Sequence, residues 1–237
     1  MSKITGYIRI TAAVFYTLLM AILSILVLPF DRRGRWYHAV SRLWSSILLV
    51  ICGVRLSTRG TENLVPGQSY IYVSNHASLL DIPVMVAGIP DQIRIVYKKE
   101  LEKIPLFGWG LKWGSYIGID RGKSAEARKS LEEAIDKIRH GASVLLYAEG
   151  TRTVDGKIQP FKRGAFNLAV SAGVPVVPLT INGTFALMPK GSLAIHPRPV
   201  ELFFERPITV DPEQGKDAEL RLMKEVHAAI AKHYVDQ

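Results

Sequence analysis

The 237 residues are enough for one large domain with an appendage, and 48% hydrophobic residues with a positive mean hydropathy exceed the soluble norm, which predicts a membrane-associating segment. A formal net charge of +9 points to acidic partners such as anionic lipid head groups, phosphorylated substrates or an acidic carrier protein. Basic residues scattered without aromatic interleaving argue against nucleic acid, and the single cysteine, Cys52, excludes an intramolecular disulfide.

In chain order, Ile10 to Phe30 carries no charge and is bounded by Arg9 and by Asp31, Arg32 and Arg33. As a helix it would be about 30 Å long, enough to span a bilayer or to lie in one leaflet. Leu26 to Phe30 offers no small-x-small cleavage site, so a retained segment is expected. A second apolar run, Leu43 to Val54, is too short to span and carries Trp36, Tyr37 and Trp44 beside Arg35 and Arg42, residue types of a membrane interface. Residues 1–53 are therefore expected to form a two-helix membrane anchor, with Arg32, Arg33 and Arg35 at head groups on the cytoplasmic side.

From residue 54 to 237 short β-rich runs alternate with helical patterns, which predicts an α/β domain whose sheet is covered by helices. The predicted strands are Val54 to Thr58, Ser69 to Ser74, Ile93 to Tyr97, Tyr116 to Ile119, Ser143 to Tyr147, Val174 to Ile181 and Val200 to Phe204. A helix capped by Ser124 puts Ala127, Leu131, Ala134, Ile135 and Ile138 on one face and stops at Gly141. A closing helix carries Leu222, Met223, Val226, Ala229, Ile230 and Tyr234.

Directly after the second predicted strand, Ser74-Asn75-His76-Ala77-Ser78-Leu79-Leu80-Asp81 sets an imidazole and a carboxylate five residues apart. His76 is a candidate general base, with Asp81 to orient it and stabilise the imidazolium, provided that the chain between them turns into the first turn of a helix. Three more strand ends lead into cations: Lys98, Arg121 after Asp120, and Arg152 in Glu149-Gly150-Thr151-Arg152. Loops at strand ends gather ligand groups in α/β sheets, so these three are candidates to hold an anionic head group. Glu149 can brace a loop or an arginine, and Gly150 permits close backbone approach to a ligand. Histidines 38, 140, 196, 227 and 233 read as surface or core residues, and no His/Cys cluster has zinc spacing.

These blocks resemble the 1-acyl-sn-glycerol-3-phosphate acyltransferase (PlsC-type) family. His76 to Asp81 is similar to its N-H-x4-D motif, Gly114 to Arg121 to the block ending in I-D-R, Glu149 to Arg152 to E-G-T-R, and Val174 to Leu179 to V-P-V-V-P-L. Lys98 to Gly108 is similar to its K-x-E-L…I-P-x-F-G segment. Ala148 replaces the usual proline before E-G-T-R, and Gly118 a common bulky residue before I-D-R, departures that bear on acyl-chain preference. The resemblance implies transfer of a fatty acyl group from acyl-ACP or acyl-CoA to the sn-2 hydroxyl of lysophosphatidic acid, at the cytoplasmic face of the cell membrane, with the anchor embedded in one leaflet. It implies His76 and Asp81 as the catalytic pair and Lys98, Arg121 and Arg152 as phosphate ligands. Glu149, Gly150 and Thr151 would then support the loop and the oxyanion. No metal or cofactor is called for. Acceptors such as a lyso-ornithine lipid, a lysophospholipid or glycerol-3-phosphate, and a noncatalytic lipid-binding scaffold, are the alternative readings.

Overall fold

All seven β-rich runs enter one sheet. The computed structural model describes residues 3–31, 33–120, 125–210 and 215–236, and among them the strands are β1 (Arg55–Arg59), β2 (Ile71–Ser74), β3 (Ile93–Lys98), β4 (Ile117–Ile119), β5 (Ser143–Tyr147), β6 (Val176–Asn182) and β7 (Pro199–Phe204). Their order is β1-β7-β6-β2-β5-β3-β4, and β6–β7 is the antiparallel pairing. The run β6-β2-β5-β3-β4 is parallel throughout, so the carboxyl ends of these five strands meet at one edge. β2 begins later than Ser69 because the Tyr70 amide donates to Ser143 Oγ at 3.2 Å rather than to a ladder carbonyl.

Strand pleating sorts the core into two layers. Tyr70, Tyr72, Leu145, Val177 and Leu179 face one cluster, covered by α1 (Lys3–Val27), α2 (Arg35–Cys52), α3 (Asp81–Gly88) and α4 (Phe107–Trp113). Ile71, Val73, Val144, Leu146 and Val176 face the other, covered by α5 (Ala125–Arg139), α6 (Arg163–Ala172) and α8 (Gly215–His233). A short α7 (Thr184–Leu187) follows β6. On α5, Ala134 and Ile138 are buried as the periodicity predicts, while the expected cap Ser124 lies outside the described residues. α8 stops before Tyr234, whose hydroxyl instead donates to Gly156 O at 2.5 Å.

The amino-terminal helices depart from expectation in one respect. α1 contains Thr5–Phe30 in part, a 26-residue stretch long and apolar enough to cross a membrane, and exposes Phe15, Leu19 and Leu26. α2 starts at Arg35, ahead of the apolar run that begins at Leu43, where the Asp31 carboxylate accepts the amides of Arg35 at 2.8 Å and Tyr37 at 2.7 Å. One of its faces buries Tyr37, Leu48, Leu49 and Cys52 in the same cluster as the sheet, and the opposite stripe exposes Trp36, Leu43, Ile47 and Val50. The turn before α2 is tied down as Gln92 Nε2 and Arg94 Nη2 donate to Arg33 O at 3.2 and 3.0 Å. The boundary expected after residue 53 therefore cuts through a shared core. Arg32, expected at head groups, lies outside the described residues.

Candidate active site

β2 ends at Ser74 and the next four residues are held by hydrogen bonds from three directions. Asn75 continues the sheet with its side chain: Nδ2 donates to Ile181 O at 3.0 Å and Oδ1 accepts the Ile181 amide at 2.9 Å. The His76 amide donates to Glu149 Oε1 at 2.6 Å, and His76 O accepts the Thr153 amide at 2.9 Å. Ser78 Oγ donates to Met188 O at 2.8 Å. The chain then enters α3, whose first residue is Asp81.

That turn brings the carboxylate back onto the imidazole. His76 Nδ1 lies 2.7 Å from Asp81 Oδ2, which also accepts the amides of Ala77 at 2.7 Å and Ser78 at 2.9 Å. Asp81 is fully buried, so its charge is held by these N–H groups rather than by water. An ionised carboxylate only accepts, which assigns the proton to Nδ1 and leaves the Nε2 lone pair for a substrate. Tyr147, at the end of β5, stacks on the His76 ring with centroids 4.0 Å apart and planes 19° off parallel. Tyr147 Oη and Asp81 Oδ1 are both buried without a hydrogen-bond partner among the described residues. Burial and the charge of Asp81 push the Tyr147 phenol well above its ordinary value, so it is neutral at physiological pH.

Glu149 is the second buried carboxylate. It is 2% exposed, and its two oxygens bridge loops, one taking the His76 amide and the other the Gln159 amide at 2.9 Å. Burial raises its pKa, and the two amides oppose that rise. Gly150 adopts φ +69°, where a Cβ would stand 2.9 Å from Lys162 Cδ. Its amide donates to Tyr147 O at 3.1 Å. That bond engages the Gly150 amide in the turn after β5. Thr151 and Arg152 are joined from outside the motif, as Lys190 Nζ donates to Thr151 Oγ1 and to Arg152 O, both at 3.2 Å.

Hydrogen bonds thus join His76, Asp81 and Glu149 directly. Lys98 ends β3 and pairs with Glu100 at 3.1 Å, both about half exposed, and Arg121 lies outside the described residues. Three participants carry no functional signal in the sequence alone. Tyr147 has the pattern of a strand former, Asn75 stands in the motif with no chemical task of its own, and Lys190 sits between Pro189 and Gly191 in a turn. Among the described residues no group of three His, Cys, Asp or Glu could hold a metal ion.

An apolar cavity of about 230 Å³ runs between the sheet face and α1, α2 and α4. Leu79 and Ile82, on either side of Asp81, form one part of its wall, with Ile95, Tyr97, Leu101 and Phe107. Met20, Ala21 and Ser24 of α1 and Ser41 and Trp44 of α2 form the rest. The cavity and the imidazole are thus built from the same loop.

Comparison with known proteins places this arrangement. Residues 55–182 match the family described as Acyltransferase. The chain belongs to that family. Among the Acyltransferase relatives, it is 36% identical over 171 residues to the chloroplastic 1-acyl-sn-glycerol-3-phosphate acyltransferase BAT2 of Brassica napus, which covers 71% of this chain and 49% of that protein. It is 32% identical over 201 residues to the 1-acyl-sn-glycerol-3-phosphate acyltransferase of Pseudomonas aeruginosa, over 83% of this chain and 76% of that one. The chain thus spans about half of the plant relative and about three quarters of the bacterial one. The crystal structure of the lysophosphatidic acid acyltransferase PlsC from Thermotoga maritima superposes with a TM-score of 0.80 at 28% identity, over 98% of this chain and 95% of that one.

Proposed function

We propose that this family member transfers a fatty acyl group from an acyl thioester, acyl-ACP or acyl-CoA, to the sn-2 hydroxyl of 1-acylglycerol-3-phosphate, forming phosphatidic acid. The observation that carries the reading is the His76–Asp81 contact of 2.7 Å in a loop whose Leu79 also lines an apolar cavity. A base and a place for an aliphatic chain are what acyl transfer to a lipid hydroxyl requires.

In the reaction, His76 Nε2 takes the proton of the acceptor hydroxyl as its oxygen attacks the thioester carbonyl. Asp81 holds Nδ1–H and stabilises the imidazolium. The tetrahedral intermediate collapses, the C–S bond breaks, and the imidazolium returns the proton to the departing thiolate. The acyl group passes directly to the acceptor, consistent with Cys52 lying fully buried in α2. The acyl chain lies in the cavity. Lys98, Arg121 and Arg152 take the acceptor phosphate, and the exposed Lys98–Glu100 pair costs little to exchange for it. α1 and the exposed stripe of α2 lie in one leaflet at the cytoplasmic face, with Arg33 and Arg35 at the head groups.

The test is an assay of the purified protein in vesicles with lysophosphatidic acid, other lyso-lipids and glycerol-3-phosphate, each with both donors, with products identified by mass. Phosphatidic acid from the wild type and none from His76→Ala is the expected outcome. Product from another acceptor alone would move the substrate assignment, and no acyl transfer at all would leave a lipid-binding scaffold.

A further inference from the structure

α4 presents a surface that the acyl-transfer chemistry leaves unused. Its inner residues Phe107, Gly110 and Leu111 wall the cavity, and the helix packs against α1. A Cβ at Gly108 would stand 2.4 Å from Leu101 O, so the helix is pressed tightly onto the 3₁₀ turn Lys99–Lys103 and has a fixed orientation. Its outer face therefore points away from the protein. There Trp109 and Trp113, one helical turn apart with ring centroids 6.1 Å from each other, are 43% and 56% exposed. Leu101 and Ile104 of the preceding turn are exposed as well.

Two indoles and two aliphatic side chains left open together call for a cover. The composition around them selects it. Lys98, Lys99, Lys103 and Lys112 are exposed in the same segment, against Glu100 and Glu102, which leaves the segment basic. Indoles flanked by lysines suit the head-group layer, where the ring is half wetted and the ammonium meets anionic lipid. α4 packs against α1, whose Thr5–Phe30 stretch is itself long and apolar enough to cross a membrane.

We propose that α4 is a second membrane-contact element, placed in the acyltransferase domain itself, whose Trp109 and Trp113 lie in the head-group layer of an anionic bilayer. The helix that walls the acyl cavity is then seated on the lipid from which the substrates come, so the proposal rests on the reading of the chain as an enzyme of membrane lipids.

The test uses the full chain with Trp36→Phe and Trp44→Phe, which leaves Trp109 and Trp113 as the only tryptophans of the four. It is bound to vesicles of phosphatidylcholine and phosphatidylglycerol containing dibrominated lipids. Quenching of tryptophan emission, stronger from bromines at shallow than at deep acyl positions, is expected. In an otherwise unchanged chain, Trp109→Gln/Trp113→Gln should weaken vesicle partitioning on the order of tenfold. Turnover of vesicle-presented acceptor should fall with it, while a short-chain soluble acceptor is used at the wild-type rate. Unquenched emission from protein that floats with the vesicles would overturn the proposal. Equal loss on both acceptors would do so too, by making the pair a structural element, as would a concentration-dependent dimer abolished by the double variant, which would make a second copy the cover. Quenching without acyl transfer by the wild type would leave the membrane element standing and sink the enzymatic reading, whereas transfer without quenching sinks the membrane element alone.

Discussion

Asp81→Asn isolates the charge at the centre of the site. Oδ2 of Asp81 gathers three N–H groups, from His76 Nδ1 and the amides of Ala77 and Ser78, within 2.9 Å. An asparagine oxygen in the same place still accepts all three but carries no charge. A hydrogen bond to a charged group contributes about 1.5–3 kcal/mol and a neutral one about 0.5–1.5, so folding loses about 1 kcal/mol per bond and about 3 in all. That is less than the roughly 5–15 kcal/mol of a typical domain, so the variant is expected to fold. Turnover loses more, because the imidazolium formed as His76 takes the proton has no counter-charge. Two unit charges about 4 Å apart at an effective dielectric of about 20 attract by about 4 kcal/mol, which corresponds to a roughly thousandfold fall in kcat. The assay is thiol release from the acyl thioester at saturating acceptor, with a thermal melt on the same preparation. A cooperatively folded Asp81→Asn enzyme with kcat within tenfold of wild type would refute the role given to Asp81.

Three further expectations concern the surroundings of that pair. Glu149→Gln turns one of two buried acceptors into a donor facing the His76 or Gln159 amide, at a cost of about 1–3 kcal/mol, read as a fall in Tm of about 2–12 °C with loss of activity. Because burial raises the Glu149 pKa above its ordinary 4.5, its contribution favours folding below that pH and is lost as pH rises through the folded value, and in Glu149→Gln that part of the stability–pH curve should vanish. A Cβ at Gly118 would meet the Tyr97 ring at 3.0 Å, and Tyr97 lines the cavity, so Gly118→Val should shift preference toward shorter acyl donors in a mixed-donor competition read by mass. Deleting residues 1–53 removes Tyr37, Leu48, Leu49 and Cys52 from the core; at about 1.5–3 kcal/mol for each large apolar side chain the loss approaches the whole stability of a domain. Insoluble protein is expected, and a soluble, cooperatively melting 54–237 fragment would contradict it.

Local pattern made the sheet and the His–Asp pair legible. The apolar run Tyr70 to Val73 marks a strand buried on both faces, whose pleat divides its side chains into two sets, and the spacing of His76 and Asp81 across a strand-to-helix turn places their side chains together wherever the strand lies. Apolar length likewise marked α1. What only the tertiary structure decided involves residues far apart in the chain. The Glu149 carboxylate reaches His76 because β5 pairs with β2, Asn75 binds Ile181 because β6 lies on the other side, and Lys190 meets Thr151 across two loops. α2 is apolar on both its exposed stripe and its buried face, and composition cannot tell which of the two meets the core and which is left outside it. The physical reason is common to these cases: alternation and spacing act through neighbouring residues, whereas the partner of a buried carboxylate or an apolar face is chosen by strand order and helix packing, which no local pattern encodes.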